Sequence, residues 1–190
     1  MDALTLLIIR HAEKPDGDAT GPGLTHKGKV DSKSLVIFGW ERAGAWTALF
    51  GAGLGGSTYP APQAVYAADP DSTKDGSEPS RRPYETVLDL AARVGLDRPN
   101  TSFAKGQEAA LVDALLPLAG TVLVAWEHKA IISDILPLIP VSKGTPPTKW
   151  EGSRFDVVLR FERAKGDDKF AFKELFPKLL FGDSSKPLGG

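Results

Sequence analysis

Apolar residues in this chain crowd into a few short runs separated by polar stretches, and the runs follow two different periods. Ala3 to Arg10 is a continuous Leu- and Ile-rich run that stops at charge, the pattern of a strand buried on both faces. Residues 63–68, QAVYAA, and 121–126, TVLVAW, are β-compatible runs that end at Asp69-Pro70 and Glu127-His128-Lys129. Helical spacing occupies the intervals. Trp40 to Phe50 places apolar residues at 43, 46, 49 and 50, with Gly51 and Gly53 as stop signals. Pro83 to Val94 places them at 87, 88, 91 and 94, Gln107 to Leu118 aligns Leu111, Leu115 and Leu118, and Ala130 to Ile139 returns to the same period. Phe155 to Phe161 and Lys169 to Leu175 alternate weakly and are expected to pair as late, edge-lying strands. Strand, helix, strand, helix, helix, strand, helix predicts an α/β fold, a three-layer sandwich with a mainly parallel central sheet covered on both faces. There is no internal repeat and no linker, so residues 1–181 are expected to form one domain with a flap at 12–33. The closing GDSSKPLGG, 182–190, is expected to be a frayed tail.

Composition narrows the classes. The 190 residues carry 23 Lys plus Arg against 24 Asp plus Glu, a net charge of −1, with 42% hydrophobic and 25% charged residues. With no long block of like charge, neither a nucleic-acid partner nor a membrane surface is expected. No apolar run approaches a bilayer span and no basic leader opens the chain, so the expected location is cytoplasmic. Zero cysteines exclude disulfides, thiolate nucleophiles and Cys-ligated metals, and three histidines, His11, His26 and His128, are all the imidazole available.

In open α/β sheets, ligands bind beyond the carboxyl ends of the strands. Arg10-His11 follows the first strand and Glu127-His128 the last core strand, while Arg81 and Arg82 start the helix after the second strand's loop. Two histidines and at least two arginines would converge there, a set complementary to a phosphoryl group. Guanidinium forks bind its oxygens bidentately, and a neutral imidazole can attack phosphorus in line.

At these residues the chain resembles the histidine phosphatase superfamily, the phosphoglycerate-mutase-like proteins. The resemblance rests on Arg10-His11-Ala12-Glu13, on Ser80-Arg81-Arg82-Pro83-Tyr84-Glu85-Thr86 as an Arg-x-x-Gln-Thr type of element, and on Glu127-His128 in place of a Gly-His element, in order across about residues 3–140. Ser34-Leu35 to Gly39-Trp40-Glu41-Arg42-Ala43 looks like the element that opens the family's first helix. Gly23-Leu24-Thr25-His26-Lys27-Gly28 competes for that match, and the later copy is preferred because a helical pattern follows it. The resemblance implies a phosphoglycerate-mutase-like fold, His11 as the nucleophile that becomes phosphorylated, Arg10 and Arg82 as phosphate-binding residues, and His128 as a further catalytic donor. It implies no cofactor and no metal, since fixed positive charge can stabilise a phosphoryl transition state. The expected partner is a small phosphorylated substrate.

Two departures qualify the match. Mutase-like members carry an Asn several residues after the nucleophile, where this chain reads Glu13-Lys14-Pro15-Asp16-Gly17. The family's general acid lies in many members between the second Arg and the second His; Glu108 occupies that interval and is the expected catalytic acid, with Glu127 and Glu13 as alternatives. The activity implied is hydrolysis of a phosphomonoester. A protein phosphohistidine phosphatase and a phosphomutase are alternative enzymes, and a non-catalytic phosphate-binding module is the alternative outside enzymology. Arg81 and His26 read as solvated, and Glu13-Lys14 as a surface ion pair or a site entrance. Trp150 either covers the site or pins a loop, and GAGLGG at 51–56 is a helix stop rather than a nucleotide loop.

Overall fold

The computed structural model describes residues 1–17, 20–53 and 55–189. The elements run β1 (Leu4–Arg10), α1 (Ile37–Gly51), β2 (Ala64–Ala67), α2 (Arg82–Arg93), α3 (Glu108–Leu115), β3 (Gly120–Trp126), α4 (His128–Ala130), β4 (Val141–Lys143), β5 (Val158–Arg163) and β6 (Phe170–Leu175). The chain continues from α4 through a π-helical turn, Ile131–Ile135, and a 3-10 turn, Leu136–Leu138. The spacing predicts one helix there; Pro137, which supplies no N–H, tightens its last turn.

One sheet has the order β2-β3-β1-β5-β6-β4. β2, β3 and β1 are parallel, β5 runs against both β1 and β6, and β4 is parallel to β6. The expected α/β architecture with a mainly parallel sheet is therefore present. Alternation along β1 explains the three layers. Leu4, Leu6 and Ile8 pack with Val122, Val124 and Trp126 under α3 and the α4 segment, through Leu111, Leu115, Ile131 and Ile135. Leu7 and Ile9 pack with Leu123 and Ala125 under α1 and α2, through Trp46, Phe50, Val87 and Leu90. Each such aliphatic side chain contributes about 1.5–3 kcal/mol of burial.

Two expectations are corrected. β5 is no edge strand: Val158, Leu159 and Phe161 are buried, feeding the cores on the two sides, so it pairs with β1 inside the sheet while Val141–Lys143 takes the edge. Nor is the tail frayed through residue 189. Leu188 is buried in the core, its N–H donates to Glu174 at 3.0 Å, Ser184 N–H donates to Asp156 at 2.6 Å, and Asp183 takes a two-pronged contact from Arg42 at 2.8 and 3.2 Å. One apolar and one acidic side chain, both with long-range partners, hold a segment whose local composition reads as loose. Residues 12–36 lack regular structure apart from one isolated Leu24–Val30 bridge, among the described residues. No helix of the described residues is long and apolar enough to cross a membrane.

Gly39 lets the first turn of α1 close on the chain just after His11. A Cβ there would lie 2.5 Å from the Glu13 carbonyl oxygen, whereas a Cβ on Gly44, in the same helix, would meet nothing within 4 Å. Gly39→Ala is expected to destabilise by about 1–3 kcal/mol in urea unfolding. Gly44→Ala should be neutral or stabilise by up to about 1 kcal/mol. The opposite order would contradict this packing.

Candidate active site

Register sets the site. Arg10 pairs with Trp126 across parallel β1 and β3, and the His11 N–H donates to the Trp126 carbonyl at 3.0 Å, so His11 and Glu127 leave adjacent strands at one level. Arg82, the first residue of α2, arrives from the neighbouring layer. His11 and Arg82 line one cavity of about 140 Å³, together with Trp126, Glu127, Asp69, Ser80, Lys33 and Lys105. At about 30 Å³ per water, that is room for a few waters or one small anion.

His11 is buried, and its Nδ1 lies 2.7 Å from the Ala12 carbonyl oxygen. A carbonyl only accepts, so Nδ1 carries the proton and Nε2 keeps its lone pair. Burial, reinforced by the Arg10 charge, pushes the imidazole pKa down to about 3. The ring is neutral at physiological pH, as a nucleophile requires.

Arg10 is 1% exposed. Its Nη1 donates to the carbonyls of Gly152 at 2.8 Å, Arg154 at 2.9 Å and Glu151 at 3.3 Å, and its guanidinium stacks 3.8 Å from the Phe155 ring centre. Burial lowers its pKa to about 10 against the opposing charges of Glu127 and Glu13, so it remains a cation. Its Nε and Nη2, and the Nε of Arg82, are buried with no hydrogen-bond partner among the described residues. Arg82 Nη2 donates to the Ser32 carbonyl at 2.8 Å, tying α2 to the loop after His11. Arg82 is likewise lowered by burial, with Glu85 and Asp31 acting the other way.

Neither Arg10 nor His128 lines the cavity. The His128 Nδ1 lies 2.9 Å from Glu127 Oε1. Glu127 also accepts the Ala130 N–H at 3.0 Å, capping the helical segment. Burial would raise the Glu127 pKa, but the contacts from His128 and the N–H groups of Ala130 and Lys129 overcome it and hold it at about 2.

The structure does not bring Glu108 to this cavity. Its carboxylate accepts the Trp126 indole N–H at 2.9 Å and the Gly106 N–H at 2.9 and 3.1 Å. Those donors at the start of α3 claim the acid expected to serve catalysis. Glu13, half-buried, pairs with the buried Arg42 at 2.7 Å and faces a separate cavity of about 420 Å³ lined also by Phe38, Phe155 and Asp183. His26 is exposed, and Arg81 pairs with Asp71 at 3.2 Å and Asp31 at 3.5 Å. Trp150 pins a loop, donating to the Arg154 carbonyl at 2.9 Å.

Lys33, Asp69, Ser80 and Lys105 were not singled out by sequence. They reach the cavity from loops, and the 73–105 bridge that brings Lys105 in is a long-range pairing without a local signal. Among the described residues, no three His, Asp or Glu side chains cluster as a metal site. No protein-family model and no curated protein sequence matches the chain. Among solved structures, a mycobacterial glucosyl-3-phosphoglycerate phosphatase aligns with 92% of this chain and 98% of its own at 14% identity and a TM-score of 0.43. A mycobacterial hydrolase aligns with 92% and 90% at 16% identity and a TM-score of 0.42. Both likenesses are distant, and the functional reading rests on the site itself.

The His11 geometry has a direct spectroscopic consequence. Ring nitrogen NMR should show His11 as a neutral Nδ1–H tautomer from about pH 8 down to about pH 5, because a cation with its pKa lowered to about 3 forms only below that range. A His11 signal that moves to the doubly protonated form near pH 6.5 would contradict the burial described here.

Proposed function

We propose that the protein is a phosphatase of the histidine phosphatase superfamily that hydrolyses a phosphomonoester through a phosphohistidine at His11. The observation that carries this reading is the pairing of a neutral His11, its Nδ1 already committed, with buried donors on Arg10 and Arg82 that have no partner among the described residues. A buried guanidinium edge without acceptors is costly, and a phosphoryl group satisfies it.

The chemistry follows in two displacements. Nε2 of His11 attacks phosphorus while the P–O bond to the leaving group breaks, its electron pair going to the departing oxygen. The N-phosphoimidazolium keeps its proton on Nδ1, which donates to the Ala12 carbonyl. Water then attacks phosphorus, the P–N bond breaks with its pair returning to Nε2, and inorganic phosphate leaves carrying the water protons, one of which then neutralises the departed oxyanion. Arg10 and Arg82 balance the charge spread over the phosphoryl oxygens in both steps. Glu127, held ionised, fixes the orientation of the His128 imidazole through its 2.9 Å contact with Nδ1.

A second reading has its own support. Glu108 is occupied by Trp126 and Gly106, and Glu127 is held ionised, so neither offers an available proton to an alkoxide. Aryl phosphates, whose phenolate leaves unprotonated, and a phosphohistidine peptide, whose departing imidazole brings its own ring proton, fit such a site.

Hydrolysis of p-nitrophenyl phosphate in EDTA tests the proposal. His11→Ala is expected to lose at least about 10³-fold in kcat, by analogy with removal of other nucleophiles. Arg82→Ala should lose about 10²–10³-fold, and Arg82→Lys should recover only part because a point charge cannot replace the fork. Vanadate should inhibit. Activity that disappears in EDTA and returns with Mg²⁺, or that survives in His11→Ala, would overturn the mechanism. Glu108→Gln is expected to reduce alkyl and aryl phosphate hydrolysis in the same proportion; a loss confined to alkyl esters would restore Glu108 as the acid.

A further inference from the structure

The first turn of α2 sets Arg82, Glu85 and Thr86 on one face, at i, i+3 and i+4. Each grips a different part of the chain that follows His11. Arg82 faces the cavity and holds the Ser32 carbonyl at 2.8 Å. Glu85 is buried and accepts from Ser34 Oγ at 2.8 Å and from the Leu35 N–H at 3.0 Å, which fastens the far end of the loop.

Thr86 has no exposed surface, and its hydroxyl stands between two site residues. Oγ1 donates to the Arg82 carbonyl at 2.7 Å and accepts the Ala12 N–H at 2.8 Å. The direction is fixed by chemistry: the carbonyl can only accept, so the hydroxyl proton points to Arg82 and a lone pair faces Ala12. The carbonyl of that same Ala12 receives the Nδ1–H of His11 at 2.7 Å. Ala12 is thus held on its N–H side by Thr86, while its C=O side holds the imidazole. A Thr bonding back to the carbonyl four residues earlier is a common local habit of helices. The bond to Ala12, 74 residues away in sequence, is not local and has no role in forming the helix.

We propose that Thr86 is a positioning residue that sets the orientation of the His11 ring relative to Arg82, through Ala12. This rests on the reading of His11 as the nucleophile. Without the hydroxyl, the Ala12 N–H loses its partner, the His11–Ala12 peptide plane is released, and with Ala12 free to change its φ and ψ its carbonyl, in the next plane, no longer presents a fixed acceptor to Nδ1. The bound phosphoryl group would still meet the arginines. Binding should therefore survive while the in-line attack deteriorates, since an ångström of misplacement can lower a rate by about 10²-fold.

The test compares Thr86→Val, which keeps the shape and removes the hydroxyl, with Thr86→Ser, which keeps the hydroxyl. Steady-state kinetics on p-nitrophenyl phosphate and the His11 Nδ1–H resonance without substrate are the two readouts. The Val variant is expected to lose about 10- to 100-fold in kcat with KM changed by less than about threefold, and to shift or lose the Nδ1–H signal. The Ser variant should recover both. A Val variant with kcat within about twofold of wild type and an unmoved resonance overturns the proposal, as does a Ser variant damaged as badly as Val. If the Val variant does not fold, Thr86→Ala against Thr86→Ser makes the same comparison. An inactive wild type would instead remove the phosphatase reading, and the resonance would still report whether Thr86 holds His11.

Discussion

Burial of the Arg10 guanidinium is the constraint on which the rest of the structure depends. A cation at the end of β1 with 1% of its surface exposed needs fixed acceptors, and it finds them in three carbonyls of the 151–154 loop. That loop needs its own support. Trp150 braces it through the Arg154 carbonyl, and the Arg154 side chain pairs with Asp156 at 2.7 Å and donates to the tail carbonyl of Lys186 at 2.7 Å. The tail is held in turn by Asp183 on Arg42, whose other partner is Glu13, two residues after His11. The chain of contacts returns to its origin, so the carboxy-terminal segment and the loop after His11 stabilise one arrangement.

Only one edge of Arg10 is consumed by these carbonyls. Its other edge stays buried with Nε and Nη2 unpartnered among the described residues, as does Arg82 Nε. Proteins bury such donors rarely, because each forfeits its hydration without return. The same burial that makes them costly depresses the His11 pKa and keeps the imidazole neutral. One physical cause, exclusion of water at the strand ends, therefore leaves a free imidazole lone pair and unpartnered guanidinium donors, the two things the proposed phosphoryl transfer needs.

The three layers were legible in the sequence because they depend on period. Leu4 to Ile9 alternates between two cores, and the helical spacings at 43–50 and 87–94 mark the faces that cover one of them. The positions of His11, Arg82 and Glu127 at one cavity were legible as well, because strand ends and a helix start locate them without knowledge of contacts; that Arg10 and His128 do not line it was not. Glu108 was not: its neighbours in sequence give no sign that the Trp126 indole, 18 residues later, takes its carboxylate. The interior place of β5, the short β4 edge and the docked tail share that cause, since each is decided by a partner distant in the chain. Lys33 and Lys105 reach the cavity on loops whose composition shows only polarity.

The central claim is a covalent bond from phosphorus to His11, and trapping it is the most direct measurement. Rapid quenching at neutral or alkaline pH during turnover, followed by peptide mass analysis, is predicted to find an acid-labile, base-stable phosphate on the peptide carrying His11, absent from His11→Ala. Active enzyme that shows no such adduct, or that carries the phosphate on another residue, would contradict the account.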